Sequence, residues 1–450
     1  MDIQNFSALF NTPARREAFL KLIKDNKTKH IFVQGLEGSS IALFFSNLLE
    51  HKQAHILIAN DLDEAGYLYN DLVQINGNDH ILLFPSGYKR DIKYGQPDPP
   101  SEILRTEVLN RLCQKGESLL IVTYPEAIAE KVVPVNMLSE QTLHIDKNSK
   151  CDIITLSDKL RERGFEEVDY VYEPGQFAVR GSILDVFSYT NELPYRIDFF
   201  GKEVESIRTF EVETQLSTGK LEEVYIVANV CGQEASGISI LDFIDKNTIL
   251  ICHNLSWVID RISTIASESL SEQTLIAEEG DRYAMQKIID VTALQKKITT
   301  FRRIDYGASS EANTPAVIRF NCAPQGVYHK NFDLVSQSFS QFIEKGYTLY
   351  ILSDSEKQIE RLQAIFEERG DSISFTPVLK TLHEGFVDND LKIGCFTDHQ
   401  IFDRFHKYTL KSEHARSGKL ALSLKELNQI EVGDYIVHVD HGIGRFGGLI

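Results

Sequence analysis

The stretch "KHIFVQGLEGSSIALFFSNLLE", residues 29–50, decides the fold, because it reads as a buried strand, a glycine turn and a helix in succession. The apolar run at residues 31–33 is typical of a strand covered on both faces, and apolar residues return at helical spacing after Gly38. These are also the parts of a phosphate-binding loop. The stretch therefore predicts an α/β domain and raises the question of a nucleotide site.

The same alternation continues to residue 134. Apolar runs such as "AHILIAN", "HILLFPSG" and "SLLIVTY" alternate with helical patterns such as "DLDEAGYLYNDLVQI". Strand–helix alternation of this kind predicts a parallel sheet that is covered by helices on both faces. We expect residues 1–134 to form the first part of an α/β domain.

Further segments follow, each with its own pattern. Residues 135–215 contain short, alternating, turn-bounded runs such as "FAVRGSILDVFSY", which predict an inserted and mostly antiparallel β domain. Strand–helix alternation returns at 216–325, as the second part of the α/β domain, and again at 326–407, as a second small α/β domain. The polar residues 408–430 are predicted to be a linker, and residues 431–450 begin a β-rich element.

The overall composition limits the classes of partner. The formal net charge is −18, and duplex DNA is held mainly by lysine and arginine on its phosphates, so tight independent DNA binding is disfavoured. No run of 18 apolar residues is present, and the N-terminus lacks the order of a signal peptide. We expect a cytoplasmic protein with no membrane partner.

The glycine turn lacks the charged parts of a working phosphate loop. In the pattern GxxxxGK[ST], backbone N–H groups hold the phosphates, the lysine reaches the β- and γ-phosphates, and the hydroxyl binds magnesium. Counted from residue 35, the lysine position holds isoleucine and the hydroxyl position holds alanine. The loop residues are Gly35, Gly38, Ser39, Ser40, Ile41 and Ala42. Taken alone, the pattern fits either a degenerate nucleotide loop, predicted to be inactive, or an ordinary strand-to-helix turn.

A second motif of motor ATPases is altered as well. Such enzymes place two acidic residues at the end of a strand, where they hold magnesium and polarise the attacking water. The best candidate strand, "NTILICHN", ends in His253 and Asn254 instead.

Several long motifs carry a resemblance to a known family. Residues 175–217, "GQFAVRGSILDVFSYTNELPYRIDFFGKEVESIRTFEVETQLS", resemble the inserted domain shared by excinuclease B and the bacterial transcription-repair coupling factors. Residues 432–449, "VGDYIVHVDHGIGRFGGL", are similar to the start of the RNA-polymerase-interacting domain of the coupling factors, which excinuclease B lacks. The runs "YGQPDPPSEILRTEVLNRL" and "ERLQAIFEERG" also occur in the order of that family.

The resemblance implies that the activities of the family protein are divided between this chain and the part that follows it. The whole family protein is an ATP-driven translocase on double-stranded DNA that displaces stalled RNA polymerase, through the polymerase β chain, and recruits excinuclease A. Its ATP- and magnesium-binding motor would lie C-terminal to this chain. The resemblance therefore implies a degenerate helicase-like α/β domain that is not an enzyme, has no cofactor and serves as a docking module. Residues 431–450 would be only the start of a β-barrel-type polymerase-interacting domain.

The resemblance also points to docking residues for excinuclease A. Matched motif by motif, they are Arg180, Phe187 and Arg196. The alternative is structural: Arg180 pairs with a neighbour and Phe187 belongs to the core of "ILDVF". Glu166 and Glu167 stand where the family pattern has a basic residue, which predicts a less basic docking surface.

Two weaker signals and one competing function remain. "GIGRFG" at 442–447 matches a dinucleotide-binding pattern, but no helix follows, so we expect tight turns there. "HVDH" at 438–441 is read as structural, and no metal site is predicted. The competing function is an excinuclease-B-like ATPase that binds damaged DNA, and a domain that only masks the motor is a third possibility.

Overall fold

The structure is a computed structural model. It describes residues 1–25, 27–87, 99–113, 116–140, 142–147, 149–189, 191, 193–212, 214–228, 237–275, 288–308, 316–406, 408, 435–438 and 442–445. The chain divides into two compact units, which are described separately. Unit 1 comprises residues 1–135 and 231–410, and unit 2 comprises residues 136–230 and 411–450.

The strands are numbered in chain order. They are β1 (His30–Gln34), β2 (Ala54–Ile58), β3 (Ile81–Leu83), β4 (Leu119–Thr123), β5 (Thr142–Asp146), β6 (Glu166–Glu167), β7 (Gln176–Arg180), β8 (Ile183–Val186), β9 (Tyr195–Phe200), β10 (Glu203–Phe210), β11 (Ser217–Leu221), β12 (Glu223–Val227), β13 (Ile249–Cys252), β14 (Arg302–Gly307), β15 (Ala316–Arg319), β16 (Cys322–Pro324), β17 (Thr348–Leu352), β18 (Thr376–Val378), β19 (Phe386–Asp388), β20 (Ile393–Thr397), β21 (Tyr435–His438) and β22 (Gly442–Arg445).

The α-helices are numbered in the same way. They are α1 (Ile3–Phe10), α2 (Pro13–Lys24), α3 (Ser40–Phe45), α4 (Leu62–Asn76), α5 (Pro99–Cys113), α6 (Pro125–Ala129), α7 (Val135–Glu140), α8 (Ile153–Glu162), α9 (Ile240–Phe243), α10 (Leu255–Leu275), α11 (Val291–Ile298), α12 (Phe332–Glu344), α13 (Glu356–Glu368) and α14 (Asp398–Ile401). A 3₁₀ turn, Ser46–Glu50, continues α3.

Unit 1 contains a seven-stranded parallel sheet in the order β15-β1-β14-β13-β2-β4-β3. Its inner strands are apolar and buried, as β4 illustrates with five buried residues, because helices cover both faces. The strand β1 lies between β14 and β15, so the glycine turn that follows β1 is at the carboxyl edge of the sheet.

A second sheet in unit 1 has the order β16-β19-β20-β17-β18. The strands β20, β17 and β18 run parallel, whereas β16 and β19 add antiparallel pairs. The helices α12 and α13 pack on this sheet through buried residues such as Phe339 and Leu362. The N-terminus joins the same layer, because the Met1 ammonium donates to the Pro377 carbonyl oxygen at 2.9 Å.

The helix α4 of unit 1 has well-defined ends. Asp61 caps its start by accepting a hydrogen bond from the Glu64 backbone N–H at 2.9 Å, and Gly77 ends it with a φ of +79°. Its middle is buried, including Asp71, which is 2 % exposed. The helix therefore holds one acidic group inside the protein.

Unit 2 is built on a six-stranded sheet in the order β11-β10-β9-β8-β7-β6. All of its pairs are antiparallel except the short β6–β7 pair. One face packs on α8 and on the β5–β12 pair through a core that includes Leu160, Phe177 and Ile197. Together, the parallel sheet, the antiparallel unit and the second α/β layer confirm the predicted fold class.

The sequence prediction ended the inserted domain at residue 215, but the structure carries unit 2 further. The strands β11 and β12, residues 217–227, pair with β10 and β5 of unit 2. The error has a physical cause: β11 is polar, and pairing with strands from elsewhere in the chain, rather than its own pattern, fixes its place.

The C-terminal predictions are only partly covered by the described residues. The predicted linker 408–430 lies outside them except for Tyr408, whose ring fills the space above Gly66 of α4. Within 435–438 and 442–445 the strands β21 and β22 pair in antiparallel orientation. No helix in the described part of the chain is long and apolar enough to cross a membrane.

Candidate functional site

The glycine turn after β1 keeps the backbone path of a phosphate loop. Gly35 and Gly38 have φ angles of +80° and +53°, in the left-handed region that favours glycine. A methyl group at Gly35 would lie 2.1 Å from the Phe320 carbonyl oxygen, so the turn also needs a residue without a side chain. The helix α3 begins directly after the turn, at Ser40.

The backbone N–H groups of this turn are used inside the protein. Two N–H groups donate to carbonyl oxygens elsewhere in the chain, that of Gly35 to Gly307 at 3.2 Å and that of Ser39 to Glu384 at 3.1 Å. The other three donate within the turn: Glu37 to the Ser40 hydroxyl at 2.9 Å, Ser40 to the Glu37 carbonyl oxygen at 3.2 Å, and Ile41 to the Gly38 carbonyl oxygen at 3.3 Å. A phosphate is held by N–H groups that point at it and have no other acceptor. These five groups already have acceptors.

The positions that follow the turn carry no charge. Ser40 and Ala42 are fully buried, and Ile41 is partly buried. In this helix, uncharged side chains stand where a phosphate loop would carry its lysine and its magnesium-binding hydroxyl, and the prediction of an inactive nucleotide loop stays a prediction.

A segment between β18 and β19 lies against the turn. The Glu384 N–H donates to the Ser39 hydroxyl at 2.9 Å, and the Ser39 N–H donates to the Glu384 carbonyl oxygen at 3.1 Å. The Ser39 hydroxyl in turn donates to Asp71 at 2.5 Å. A methyl group at Gly38 would lie 2.9 Å from the Gly385 carbonyl oxygen. Residues 383–385 thus contact the loop where it bends.

Asp71 sits at the centre of this contact. Its second oxygen accepts the His383 N–H at 2.7 Å. Burial raises the pKa of Asp71 to about 7, although the hydrogen bonds from Ser39 and His383 act in the opposite direction. Burial lowers the pKa of His383 to about 4, with the charges of His399 and His406 acting in the same sense.

The altered acid pair lies at the same edge of the seven-stranded sheet. His253 and Asn254 follow β13, and the Asn254 side chain accepts the Trp257 N–H at 3.1 Å at the start of α10. The His253 ring is in edge contact with Tyr306, at 5.6 Å between ring centroids. Gly307, which ends β14, lies between the two motifs, because its carbonyl oxygen accepts the Gly35 N–H and a methyl group on it would lie 3.2 Å from His253 Nε2.

In unit 2, the sheet face opposite the α8 core carries charged residues at matched positions. Ala178, Asp185, Arg196 and Arg208 are cross-strand neighbours on β7, β8, β9 and β10. Arg180 lies two residues along β7, so it belongs to the same face.

Asp185 is the centre of this charged face. It is fully buried and accepts hydrogen bonds from Arg196 Nε and Nη2 at 2.7 and 2.9 Å. Arg180 Nη2 donates to the same carboxylate. A buried charge needs partners, and two guanidinium groups supply them here.

The two arginines differ in their access to solvent. The Arg180 side chain is 35 % exposed, and its guanidinium lies over the Tyr170 ring, 4.9 Å from the centroid. The Arg196 side chain is 14 % exposed, lies over the Phe210 ring at 4.4 Å and donates to the Gln215 carbonyl oxygen. Arg180 can reach a partner, whereas Arg196 mainly holds Asp185 in place.

Phe187, predicted as a docking residue, does not lie on the exposed surface of unit 2. Phe187 is 2 % exposed and packs with Val171, Ala178 and Phe210 in a second small core of unit 2. Strand alternation places Phe187 on the face of Asp185, but the chain around residues 168–171 and 210–212 covers that end of the face. The structural alternative for Phe187 is therefore correct, and its part in docking stays a prediction.

An exposed aromatic ring stands elsewhere on the same face. Phe200, at the end of β9, is 79 % exposed. The β7–β8 and β9–β10 turns lie at one end of the sheet, because the Phe199 N–H donates to the Ser182 carbonyl oxygen at 2.9 Å. Phe200 and Arg180 therefore share an end of the sheet. The signal was in "YRIDFF", where Phe200 continues the polar alternation of Arg196 and Asp198.

An acidic groove adjoins Arg180. Its volume is about 750 Å³, and it is lined by Glu166, Glu167, Val168, Asp169, Tyr170, Val179 and Arg180. Glu167 is paired with Arg161 at 2.7 Å. The acidic residues Glu166 and Glu167, which stand where the family pattern has a basic residue, therefore lie beside Arg180. Among the described residues, no group of three or more histidine, cysteine or acidic side chains could hold a metal ion.

Comparison with known proteins gives two independent matches. Residues 143–230, which lie within unit 2, match the family described as the UvrB interaction domain. This chain resembles the transcription-repair-coupling factors. The factor of Staphylococcus aureus (strain MRSA252) is 23 % identical over 492 aligned positions, which cover 93 % of this chain and 42 % of the relative. The factor of Staphylococcus epidermidis is 22 % identical and covers 94 % of this chain and 42 % of the relative.

The matches confirm the family resemblance inferred from the sequence motifs. The similarity to transcription-repair-coupling factors extends over 93 % of the chain. The residues that match the UvrB interaction domain, 143–230, include the strands that carry the charged sheet face. The chain spans about two fifths of the length of the curated relatives it matches.

Proposed function

We propose that unit 2 docks excinuclease A, and that the chain is the part of a transcription-repair-coupling factor that recruits nucleotide excision repair. The observation that carries the proposal is the end of the unit 2 sheet, which partly exposed Arg180 and exposed Phe200 share within the matched domain.

The chemistry of this surface suits a binding hot spot. Arginine and aromatic residues dominate such sites. Arg180 is held in advance by Asp185 and Tyr170, so little side-chain freedom is lost when a partner binds. Phe200 adds apolar area that becomes buried only in a complex.

We propose that the remaining family activities lie outside this chain. ATP-driven translocation on DNA and displacement of RNA polymerase would belong to parts of the relatives beyond the matched 42 %. The occupied N–H groups of the glycine turn and the uncharged positions 41 and 42 support a role without ATP hydrolysis or a bound cofactor. The net charge of −18 supports weak DNA binding, and the place of action would be the cytoplasm.

The test is binding of the purified chain to excinuclease A, compared with the Arg180→Ala variant. Loss of a hot-spot residue costs about 2 kcal/mol or more, so we expect at least about a 30-fold rise in Kd. The matched control is Arg163→Ala, which removes the same charge near α8, where Arg163 donates to the Lys159 carbonyl oxygen.

Two results would count against the proposal. If the unsubstituted chain does not bind excinuclease A, the recruitment role is wrong. If Arg180→Ala and Arg163→Ala weaken binding equally, the surface has been misplaced. The competing ATPase function would instead gain support from saturable binding of a fluorescent nucleotide at micromolar concentration.

A further inference from the structure

The contact between the glycine turn and residues 383–385, the plug segment, is made by polar groups of both sides. Two hydrogen bonds join them directly: Ser39 N–H donates to the Glu384 carbonyl oxygen, and Glu384 N–H donates to the Ser39 hydroxyl. A third bond runs from the His383 N–H to Asp71 of α4, which also accepts a hydrogen bond from the Ser39 hydroxyl. Asp71 and Ser39 are both 2 % exposed. Buried polar groups are costly when unpaired, so each side depends on the other.

The plug segment takes the place of a ligand in this geometry. A loop N–H that would donate to a phosphate oxygen, that of Ser39, donates to a peptide carbonyl oxygen. The approach is backbone to backbone and depends on glycine, because a methyl group at Gly38 would come within 2.9 Å of the Gly385 oxygen.

The surroundings hold the plug segment in position from both ends. On one side the His383 ring stacks on Tyr67 of α4, with 3.4 Å between centroids. On the other side Arg15 of α2 donates to Asp388, at the end of β19, at 2.6 Å, and the Asp388 side chain is fully buried. The Phe10 ring also meets Phe386 at 5.3 Å. The contact is therefore accompanied by further contacts from α1, α2 and α4 to the plug segment and to β19 of the second sheet.

We propose that residues 383–385 are a built-in ligand of the degenerate phosphate loop, and that the loop's present role is to hold the second α/β domain against the first. On this proposal, the domain predicted at 326–407 supplies the peptide segment that occupies the loop. The proposal does not depend on docking by unit 2. The parts retained from a phosphate loop, its glycines and its N–H groups, are those that a peptide backbone can use.

The test is hydrogen exchange, followed by mass spectrometry, of peptides spanning residues 36–43 and 380–387 in the full chain. The Ser39→Ala variant removes the hydroxyl that links Glu384 to Asp71. We expect protection of both peptides to fall by about tenfold in this variant, because a buried group left without its hydrogen-bond partner weakens the local structure.

The control is Ser46→Ala in the adjoining 3₁₀ turn, where the hydroxyl donates to the Leu43 carbonyl oxygen and does not touch the plug segment. It should leave the 380–387 peptide unchanged. If Ser39→Ala does not fold, His383→Ala, which removes the stack on Tyr67 and keeps the backbone N–H that reaches Asp71, should lower protection of the 36–43 peptide.

The proposal fails on either of two outcomes. One is exchange of the 380–387 peptide at its unprotected rate in the unsubstituted chain. The other is an equal response of that peptide to Ser39→Ala and Ser46→Ala. Neither outcome depends on binding of excinuclease A, so failure here and failure of the docking proposal are distinguishable.

Discussion

The two units each contain a buried aspartate with hydrogen-bonding partners on both oxygens, but they use it differently. Asp71 in unit 1 is met by neutral donors, the Ser39 hydroxyl and the His383 N–H. Asp185 in unit 2 is met by the cations Arg180 and Arg196. Neutral donors join one part of the chain to another, whereas Arg180 keeps part of its side chain in solvent. The comparison separates a group that holds the protein together from one that presents a cation to a partner.

Removing the charge of Asp185 should cause one of the two largest losses of stability. Breaking one side of a buried ion pair costs about 3–5 kcal/mol, and the partial exposure of Arg180 places Asp185→Asn at the low end. Protection of residues 176–210 in hydrogen exchange should fall accordingly, and docking should be lost with it. Asp198→Asn is the control and should cost less, because the Asp198 carboxylate is only partly buried and keeps contact with solvent beside Arg208 and Ser206. Equal losses of protection in the two variants would show that Asp185 is not the centre of the charged face.

Phe187 and Phe200 lie on the same face of the unit 2 sheet but should behave in opposite ways. Phe187→Ala leaves a cavity in a packed core and should cost about 3–5 kcal/mol in stability. Phe200→Ala should cost less than about 0.5 kcal/mol in stability, because the ring is 79 % exposed. It should nevertheless weaken binding of excinuclease A about 30-fold. Thermal unfolding and a binding titration on both variants give the comparison, and a Phe200 variant with unchanged affinity would remove that residue from the surface.

The contact between Asp71 and the plug segment should weaken as pH rises, by less than the substitutions above weaken stability. The pKa of Asp71 is raised to about 7 from its ordinary value of 3.8, so the stability linked to its neutral form is complete below about pH 4 and is lost as pH rises through 7. The groups that face it are His399, Glu384 and Cys395. Between pH 6 and 8 we expect about a tenfold loss of protection in the 380–387 peptide, from about 1.4 kcal/mol.

The control for the pH response is Asp71→Asn, which has no charge to titrate and should lose the response. His383 works at the other end of the range: its pKa is lowered to about 4, so the stability it contributes is present above about pH 6.5 and is lost as pH falls through 4. A flat profile in the unsubstituted chain between pH 6 and 8 would contradict the assignment to Asp71.

The smallest expected effect is that of restoring the missing lysine. Ile41 is only partly buried, so Ile41→Lys should be tolerated. We expect no gain of nucleotide binding, with Kd weaker than about 1 mM, because the N–H of Ser39 is already bound to Glu384. Saturable binding in this variant, with the 380–387 peptide still protected, would show that the plug segment leaves room for a nucleotide.

Local pattern was sufficient for much of the fold. Runs such as "SLLIVTY" predicted buried parallel strands, and the turn at Gly35 and Gly38 was placed correctly because its residues are adjacent in the sequence. Alternation also assigned Phe187 to the face of Asp185. These features depend on neighbours in the chain, which a sequence displays directly.

What the sequence did not reveal depends on contacts between distant residues. The Ser39–Glu384 pair is separated by 345 positions, and no local pattern in "TLHEGF" announces it. Phe187 is buried because residues near 170 and 211 cover its end of the sheet face, and the strand pattern does not show which end they cover. The end of unit 2 was misplaced because β11 has little apolar pattern of its own.

Gly38 has a consequence for how such sequences evolve. A side chain at this position would collide with the Gly385 carbonyl oxygen, so selection can retain the glycine for the sake of the fold after the catalytic groups have drifted away. A glycine pattern without its lysine can therefore be kept for packing, and by itself it says little about chemistry.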